Sequence, residues 1–392
     1  MIVLLMLIGA GIIYTLLQYV YKRFWAKNLT VDIAFDKAYT YMGTEAVITE
    51  TVTNMKALPL ACINMKFKID KSLDFGNADS NSAVSDNTYR NDIFALLYYQ
   101  RVTRKIPVKC TKRGVYSIDD VQLVCNGIFM NDVLVAKYPA DSMIIVYPAQ
   151  TDVTRLQIPF SKVMGVIERN RHMFADNFMF RGIRQYETFD PMMNINWKAS
   201  AKAGELMVNQ YNESVSQQVC ILLNLEPAGM IRYDKLSEES ISIASGLSKL
   251  LIEQGVSVSI YSNGCDYETD KNVKIMSDSG ISQFNAINTA LARIDLDKPM
   301  PEFSKFMTEV RTDIVSDNAG SSAGLLYIII SAGGRKKFQL SINEITKSSD
   351  AMWILPFHMG MDTGLQYCNI PVTEWEVDYK MSNKKLSMAC NI

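Results

Sequence analysis

From Ile2 to Val20 the chain carries no charged side chain. Nineteen helical residues at about 1.5 Å each reach roughly 29 Å, the thickness of one hydrocarbon core. Tyr21, Lys22, Arg23, Trp25 and Lys27 follow at once as an aromatic and basic collar, and nothing basic precedes the run. A secretory signal has the reverse order, with positive charge first, a shorter apolar core and a small-residue cleavage site. The flanks therefore predict an uncleaved single-pass anchor. The basic side of such a span faces the cytoplasm, which places the large domain there too. The alternative is a signal peptide with an unusual leading end.

The remaining composition fits a folded body on one anchor. The chain has 392 residues, 48% of them hydrophobic, enough for two or three cores. A net charge of −1 gives no basic field for nucleic acid. The seven cysteines (Cys62, Cys110, Cys125, Cys220, Cys265, Cys368 and Cys390) are scattered and never paired as C-x-x-C. Several lie in apolar strand-like contexts, as in Val219-Cys220-Ile221. Such thiols suit a reducing compartment better than a disulfide framework.

Periodicity divides the chain after residue 27. Residues 28–150 read as all-β: Val31–Phe35, Ala46–Val52, Ile63–Ile69 and Tyr98–Val102 alternate with turn residues between them. That pattern predicts an antiparallel sandwich of immunoglobulin-like or related type. Gly76–Asn91, rich in Asn, Asp and Ser, reads as a long surface loop. Residues 151–215 read as an irregular linker, with a strand over Ile183–Phe189, one or two helical turns over Trp197–Lys202, and a strand over Leu206–Asn209. Residues 216–392 hold an α/β domain and a C-terminal tail. Apolar strands at Val219–Leu223, Val256–Tyr261, Leu325–Ile330 and Ala351–Leu355 alternate with helices at 237–254, 281–294 and 337–347. This rhythm predicts a doubly wound, Rossmann-like sheet, whose functional edge lies at the carboxyl ends of its strands.

Catalytic chemistry is sparse. His172 and His358 are the only histidines, without metal-ligand spacing or a G-x-S-x-G elbow. No phosphate-binding glycine fingerprint occurs, and Gly333-Gly334-Arg335 reads as a solvated turn. The densest polar tract holds Arg184, Tyr186, Glu187, Asp190, Trp197, Lys198 and Lys202. In a catalytic reading Asp190 is a base and Arg184 an anion clamp, making a membrane-associated hydrolase or transferase. In a structural reading Arg184 and Asp190 pair, and Trp197 is a buried anchor clamping the sandwich to the α/β domain. The structural reading is preferred because no histidine or activated nucleophile accompanies the tract.

The tract resembles the hallmark motif of the DUF58 family, which runs Arg-x-Tyr, Gly-Asp, basic residues, then Ile-x-Trp-Lys-x-Ser-Ala-Arg. Arg184, Tyr186, Asp190, Ile195, Trp197, Lys198, Ser200 and Ala201 fall in matching places. Arg113-Gly114-Val115-Tyr116 and Asn126-Gly127-Ile128-Phe129 are similar to two further phrases of that family. Phe189, Met193, Asn194 and Lys202 depart from the pattern, and one membrane helix stands where many members have two. The resemblance implies a von Willebrand factor A-like C-terminal domain. It also implies a non-enzymatic interaction or scaffold role beside a MoxR-type AAA+ ATPase in the assembly or maturation of other complexes. Metal-binding A-type domains carry Asp-x-Ser-x-Ser after the first strand. Here Asn224, Glu226 and Ala228 occupy those positions, so neither metal nor cofactor is expected.

Overall fold

In a computed structural model the chain divides after Ala149 into two units, Met1–Ala149 and Gln150–Ile392. The structure describes all residues except 1, 77–80, 85–86, 128–131, 174–179, 189, 212–217, 228, 230–231, 318–324, 362–363 and 378–392.

The first unit opens with helix α1 (Ile2–Phe24). Ten strands follow: β1 (Leu29–Phe35), β2 (Tyr39–Tyr41), β3 (Glu45–Asn54), β4 (Leu60–Asp70), β5 (Leu73–Asp74), β6 (Asn81–Val84), β7 (Asn87–Leu96), β8 (Arg101–Cys110), β9 (Gly114–Asn126) and β10 (Val133–Tyr147). They form two sheets, ordered β1-β3-β8-β5 and β2-β10-β9-β4-β7-β6. All pairs are antiparallel except β2 with β10. Alternate side chains point into one core: Ile48 and Val52 from β3, Ile63, Met65, Phe67 and Ile69 from β4, and Val121 and Leu123 from β9. Period-two alternation thus lays one face of each sheet against the other.

The end of α1 is keyed into this core. Tyr21 is 3% exposed and Trp25 6%, and both pack among the sandwich residues. The Tyr21 hydroxyl lies 3.3 Å from Cys125 Sγ. Asp132 on the β9–β10 side pairs with Lys22 at 3.0 Å. Lys56 donates to the carbonyls of Trp25 and Lys27, satisfying carbonyls at the helix end, where a cation also complements the helix dipole. From Leu4 to Leu17 the large aliphatic side chains of α1 are exposed, and the helix is long and apolar enough to cross a membrane.

Gly114 shows why Arg113–Tyr116 has its spelling. Gly114 has φ 153°, and a Cβ there would meet the Tyr116 ring at 3.3 Å. The ring lies back along the chain so that its hydroxyl donates to the Lys112 carbonyl at 3.0 Å. Burial pushes that phenol up to about 12, so it stays a donor.

The second unit is a three-layer α/β body. Its main sheet contains β13 (Gln218–Asn224), β14 (Ser257–Asp266), β15 (Asn272–Asp278), β16 (Ile294–Asp295), β17 (Leu325–Ser331), β18 (Ala351–Phe357) and β19 (Val372–Glu376). The order is β15-β14-β13-β17-β18-β19, with β16 beside β14. The strands from β14 through β13, β17 and β18 to β19 run parallel. Parallel strands bury both faces, and β13 does so residue by residue. Val219, Ile221 and Leu223 face a core shared with α4 (Asp234–Glu253) and α5 (Ile281–Ala292). Cys220 and Leu222 face the opposite core, shared with α6 (Phe303–Asp317) and α7 (Lys336–Ile345). Trp353 of β18 is fully buried in that second core, its indole N–H donating to the Ser331 carbonyl at 3.0 Å.

Two stretches differ from the expectations above. Residues 76–91 are not one loop: β6 and the start of β7 lie there, with 77–80 and 85–86 outside the described residues. Residues 151–215 are not a separate linker. They belong to the second unit, and α2 (Val153–Met173) sends Leu156, Val163 and Ile167 into its first core. Pro159 inside this helix, a residue that normally ends one, hid the element. The six described cysteines are free thiols; Cys390 lies outside the described residues.

Candidate functional site

The densest polar tract folds into a small module of the second unit. Strand β11 (Phe180–Gln185) pairs antiparallel with β12 (Met207–Tyr211), and α3 (Trp197–Ala203) sits between them in sequence. The Asn196 side chain starts α3 by accepting from the Ala199 N–H at 2.9 Å. Gly204, at φ 76°, ends it in the left-handed conformation. Buried Ser200 ties α3 to β12, accepting from the Met207 N–H at 2.8 Å while its own hydroxyl donates to the Asn196 carbonyl.

Arg184 and Asp190 form a two-pronged pair, with Arg184 Nη1 2.7 Å from one Asp190 oxygen and Nη2 bonded to the other. The Glu187 N–H donates to Asp190 at 2.9 Å. The Arg184 hydrogen bonds hold the Asp190 carboxyl below its usual range. Both oxygens of Asp190 are therefore engaged, whereas a general base needs a free one within reach of its substrate. Tyr186 is half-buried and ties the tract to the end of α3 through its backbone N–H, which donates to the Leu206 carbonyl at 2.8 Å.

Trp197 corrects the clamp expectation, since it is 68% exposed rather than a buried anchor. Being first in α3, it projects from the module, while Ile195 and Ser200 supply the inward contacts. Met192 and Met193 before it are also strongly exposed, Met193 at 84%. Lys198 and Lys202 are exposed as well. The tract thus presents an aromatic ring, two thioethers and two ammonium groups on a hydrogen-bonded frame. Phe189 lies outside the described residues.

The carboxyl edge of the main sheet is closed by polar side chains that bind one another. Asn224, at the end of β13, donates to Ser331 Oγ at 3.0 Å and accepts from Asn263 Nδ2 at 3.1 Å and from the Glu226 N–H at 2.9 Å. Asn263 Oδ1 also accepts from the Leu225 N–H at 2.9 Å. Glu226 is ion-paired to Arg335. Its other oxygen accepts from the Phe303 N–H at the start of α6, at 3.4 Å. Ala228 lies outside the described residues. Among the described residues no group of three or more His, Cys, Asp or Glu side chains is arranged to hold an ion.

These donors do not fit a hard divalent cation, which takes several oxygens including anionic ones. Asn224 is neutral and its amide is spent on neighbours, and the guanidinium of Arg335 already answers the charge of Glu226. Titrating the chain with Mg²⁺ or Mn²⁺ should give no saturable heat in the micromolar range, where a one-site ion would bind with about 8 kcal/mol. A saturable signal removed by Glu226→Ala would overturn this. Asn263 comes from Ser262-Asn263-Gly264, a stretch that the strand rhythm places at this edge, and Arg335 joins it from a stretch that reads as a solvated turn.

No protein-family model matches the chain, and no curated protein matches it. A CARDB domain from Pyrococcus furiosus aligns at 15% identity over 29% of this chain and 91% of its own, with a TM-score of 0.19. A cohesin from Archaeoglobus fulgidus aligns at 13% identity over 30% of this chain and 91% of its own, with a TM-score of 0.21. A β-glucosidase from Listeria innocua aligns at 10% identity over 30% of this chain and 16% of its own, with a TM-score of 0.18. Likeness at this level carries no argument about function.

Proposed function

We propose that the chain is a membrane-anchored, non-enzymatic interaction protein, and that the Arg184–Lys202 module is the surface it offers to a protein partner. The observation that carries this reading is the exposure of Trp197 on a frame locked by the Arg184–Asp190 pair. An exposed Trp has only two side-chain torsions to order on binding, and Trp is enriched among residues that dominate binding energy. The resemblance to DUF58 proteins names the partner class, a MoxR-type AAA+ ATPase, and the task, assembly or maturation of other complexes. The parallel sheet with helices on both faces supports a von Willebrand factor A-like reading of the second unit, with Asn224, Glu226 and Arg335 as a degenerate, metal-free edge.

The anchor reading has its own support. A signal peptide is cut away, but removing α1 would strip Tyr21 from the sandwich core and leave Asp132 without Lys22. In this reading the collar holds the body on the cytoplasmic side.

Two experiments test the proposal. Protease added outside sealed cells should leave the body intact, and its digestion there would refute the cytoplasmic topology. The full chain isolated from native membranes should carry a AAA+ ATPase of this type, and Trp197→Ala should lose it. Equal recovery of the ATPase by parent and variant would remove the module from the interface.

A further inference from the structure

The first unit has a second exposed apolar group, at the end of the sandwich where α1 enters. Two connections meet there, residues 55–59 between β3 and β4 and residues 97–100 between β7 and β8. Buried Asn54 staples them, donating to the Leu58 carbonyl at 2.9 Å and the Leu97 carbonyl at 2.8 Å. The Tyr99 N–H donates to the Lys56 carbonyl at 3.1 Å, and Gln100 Oε1 accepts from the Leu97 N–H at 2.8 Å. The same connections grip the end of α1. Lys56 donates to the Trp25 and Lys27 carbonyls, and the Met55 N–H donates to the Asn28 carbonyl at 2.9 Å.

With their backbone so satisfied, these tips still turn large apolar side chains to solvent. Tyr98 is 66% exposed and Tyr99 71%, and Leu97 and Met55 are exposed beside them. Tyr99 also holds φ 51°, a conformation that few non-glycine residues adopt. Four such residues at two stapled turns make a patch rather than scattered exposure.

The distance along α1 identifies what covers the patch. Trp25 lies five residues past Val20, so it stands about 7.5 Å beyond the apolar run. The headgroup layer outside the hydrocarbon core is about 5–7.5 Å thick. Turns bonded to Trp25, Lys27 and Asn28 are thus held at its outer edge. Tyrosine is enriched at that depth, and the neighbouring Lys22, Arg23 and Lys27 suit anionic lipid.

We infer that Met55, Leu97, Tyr98 and Tyr99 are a second membrane contact, an aromatic rim that rests in the phospholipid headgroup layer around the end of α1. This rests on the reading of α1 as a retained anchor. The rim would fix the sandwich against the bilayer, so that the first unit does not swing freely on its helix.

The full chain is reconstituted in vesicles of phosphatidylcholine with phosphatidylglycerol, with the photo-crosslinker benzoylphenylalanine replacing Leu7, Tyr98, Tyr99 or Lys71 in separate variants. Lys71 lies at the far end of β4, beyond Asp70, and serves as the solvent control. Irradiation should give lipid adducts at Leu7, Tyr98 and Tyr99 and none above background at Lys71, read by mass spectrometry. Adducts at Leu7 but not at Tyr98 or Tyr99 would overturn the rim and leave the anchor standing. Crosslinks from Tyr98 or Tyr99 to a second copy or another protein would also overturn it. No adduct at Leu7 would remove the anchor and the rim together. Tyr98 has no backbone strain, so its variant decides the matter if the Tyr99 variant fails to fold.

Discussion

Trp197→Ala should melt with the parent, within about 0.5 kcal/mol, while Trp353→Ala should lose about 3–5 kcal/mol. The two substitutions delete the same side chain from one unit, so the contrast reads environment alone. Trp353 is fully buried, stacks edge-on against Phe338 at 5.3 Å between ring centres, and hydrogen-bonds the Ser331 carbonyl. Its removal leaves a cavity and an unmet acceptor. In a body of this size the loss should lower the melting temperature by roughly 10 °C. Trp197 is exposed over two thirds of its surface and leaves no cavity. Thermal melts of the full chain with both variants check the pair. Equal, large losses would return Trp197 to a structural role and remove the docking reading. A silent Trp197→Ala melt with lost partner binding is the expected result.

The exposure of Trp197 was not legible in the sequence, and the reason is physical. Aromatic residues are usually buried, so a lone Trp beside paired charges reads as an anchor. Exposure follows from its place at the first position of α3, where no preceding helical turn covers it, while Ile195 and Ser200 supply the buried contacts. No periodicity in seven residues shows that. The Arg184–Asp190 pair was legible, because opposite charges six residues apart across a strand end and a turn come within reach. The strands were legible where alternation or continuous apolar runs were clean, as in β3, β4, β13 and β17. Helix α2 was not, because Pro159 broke the pattern, and neither was β6, whose Asn and Ser residues resemble a loop. The closed sheet edge was half legible. Asn224, Glu226 and Asn263 lie at strand ends that the sequence marks as the edge, but Arg335 comes from a stretch that reads as a turn, and only the fold pairs it with Glu226.

Glu50→Gln should stabilise the sandwich at neutral pH and flatten its dependence on pH. Glu50 lies in the inward phase of β3 with Ile48 and Val52, and it is fully buried. Neither of its oxygens meets a donor in the protein. The neighbouring arginines are committed elsewhere. Arg90 and Arg104 both bond Asp92, and they lie over the Phe75 and Phe94 rings at 4.8 and 4.7 Å. Burial, and then the nearby charge of Asp92, push the Glu50 carboxyl up from 4.5 to about 8. A folded-state value above the unfolded one means that the folded chain holds the extra proton. The stability this gives is complete below pH 4.5 and is lost as pH rises towards 8. Glutamine keeps the shape and the neutral charge. Melting curves from pH 5 to 8 should therefore fall for the parent and stay nearly level for Glu50→Gln, with the gap widest at the alkaline end. Parallel curves would mean that Glu50 is ionised in the folded chain, and that the arginines beside it outweigh the cost of burying its charge.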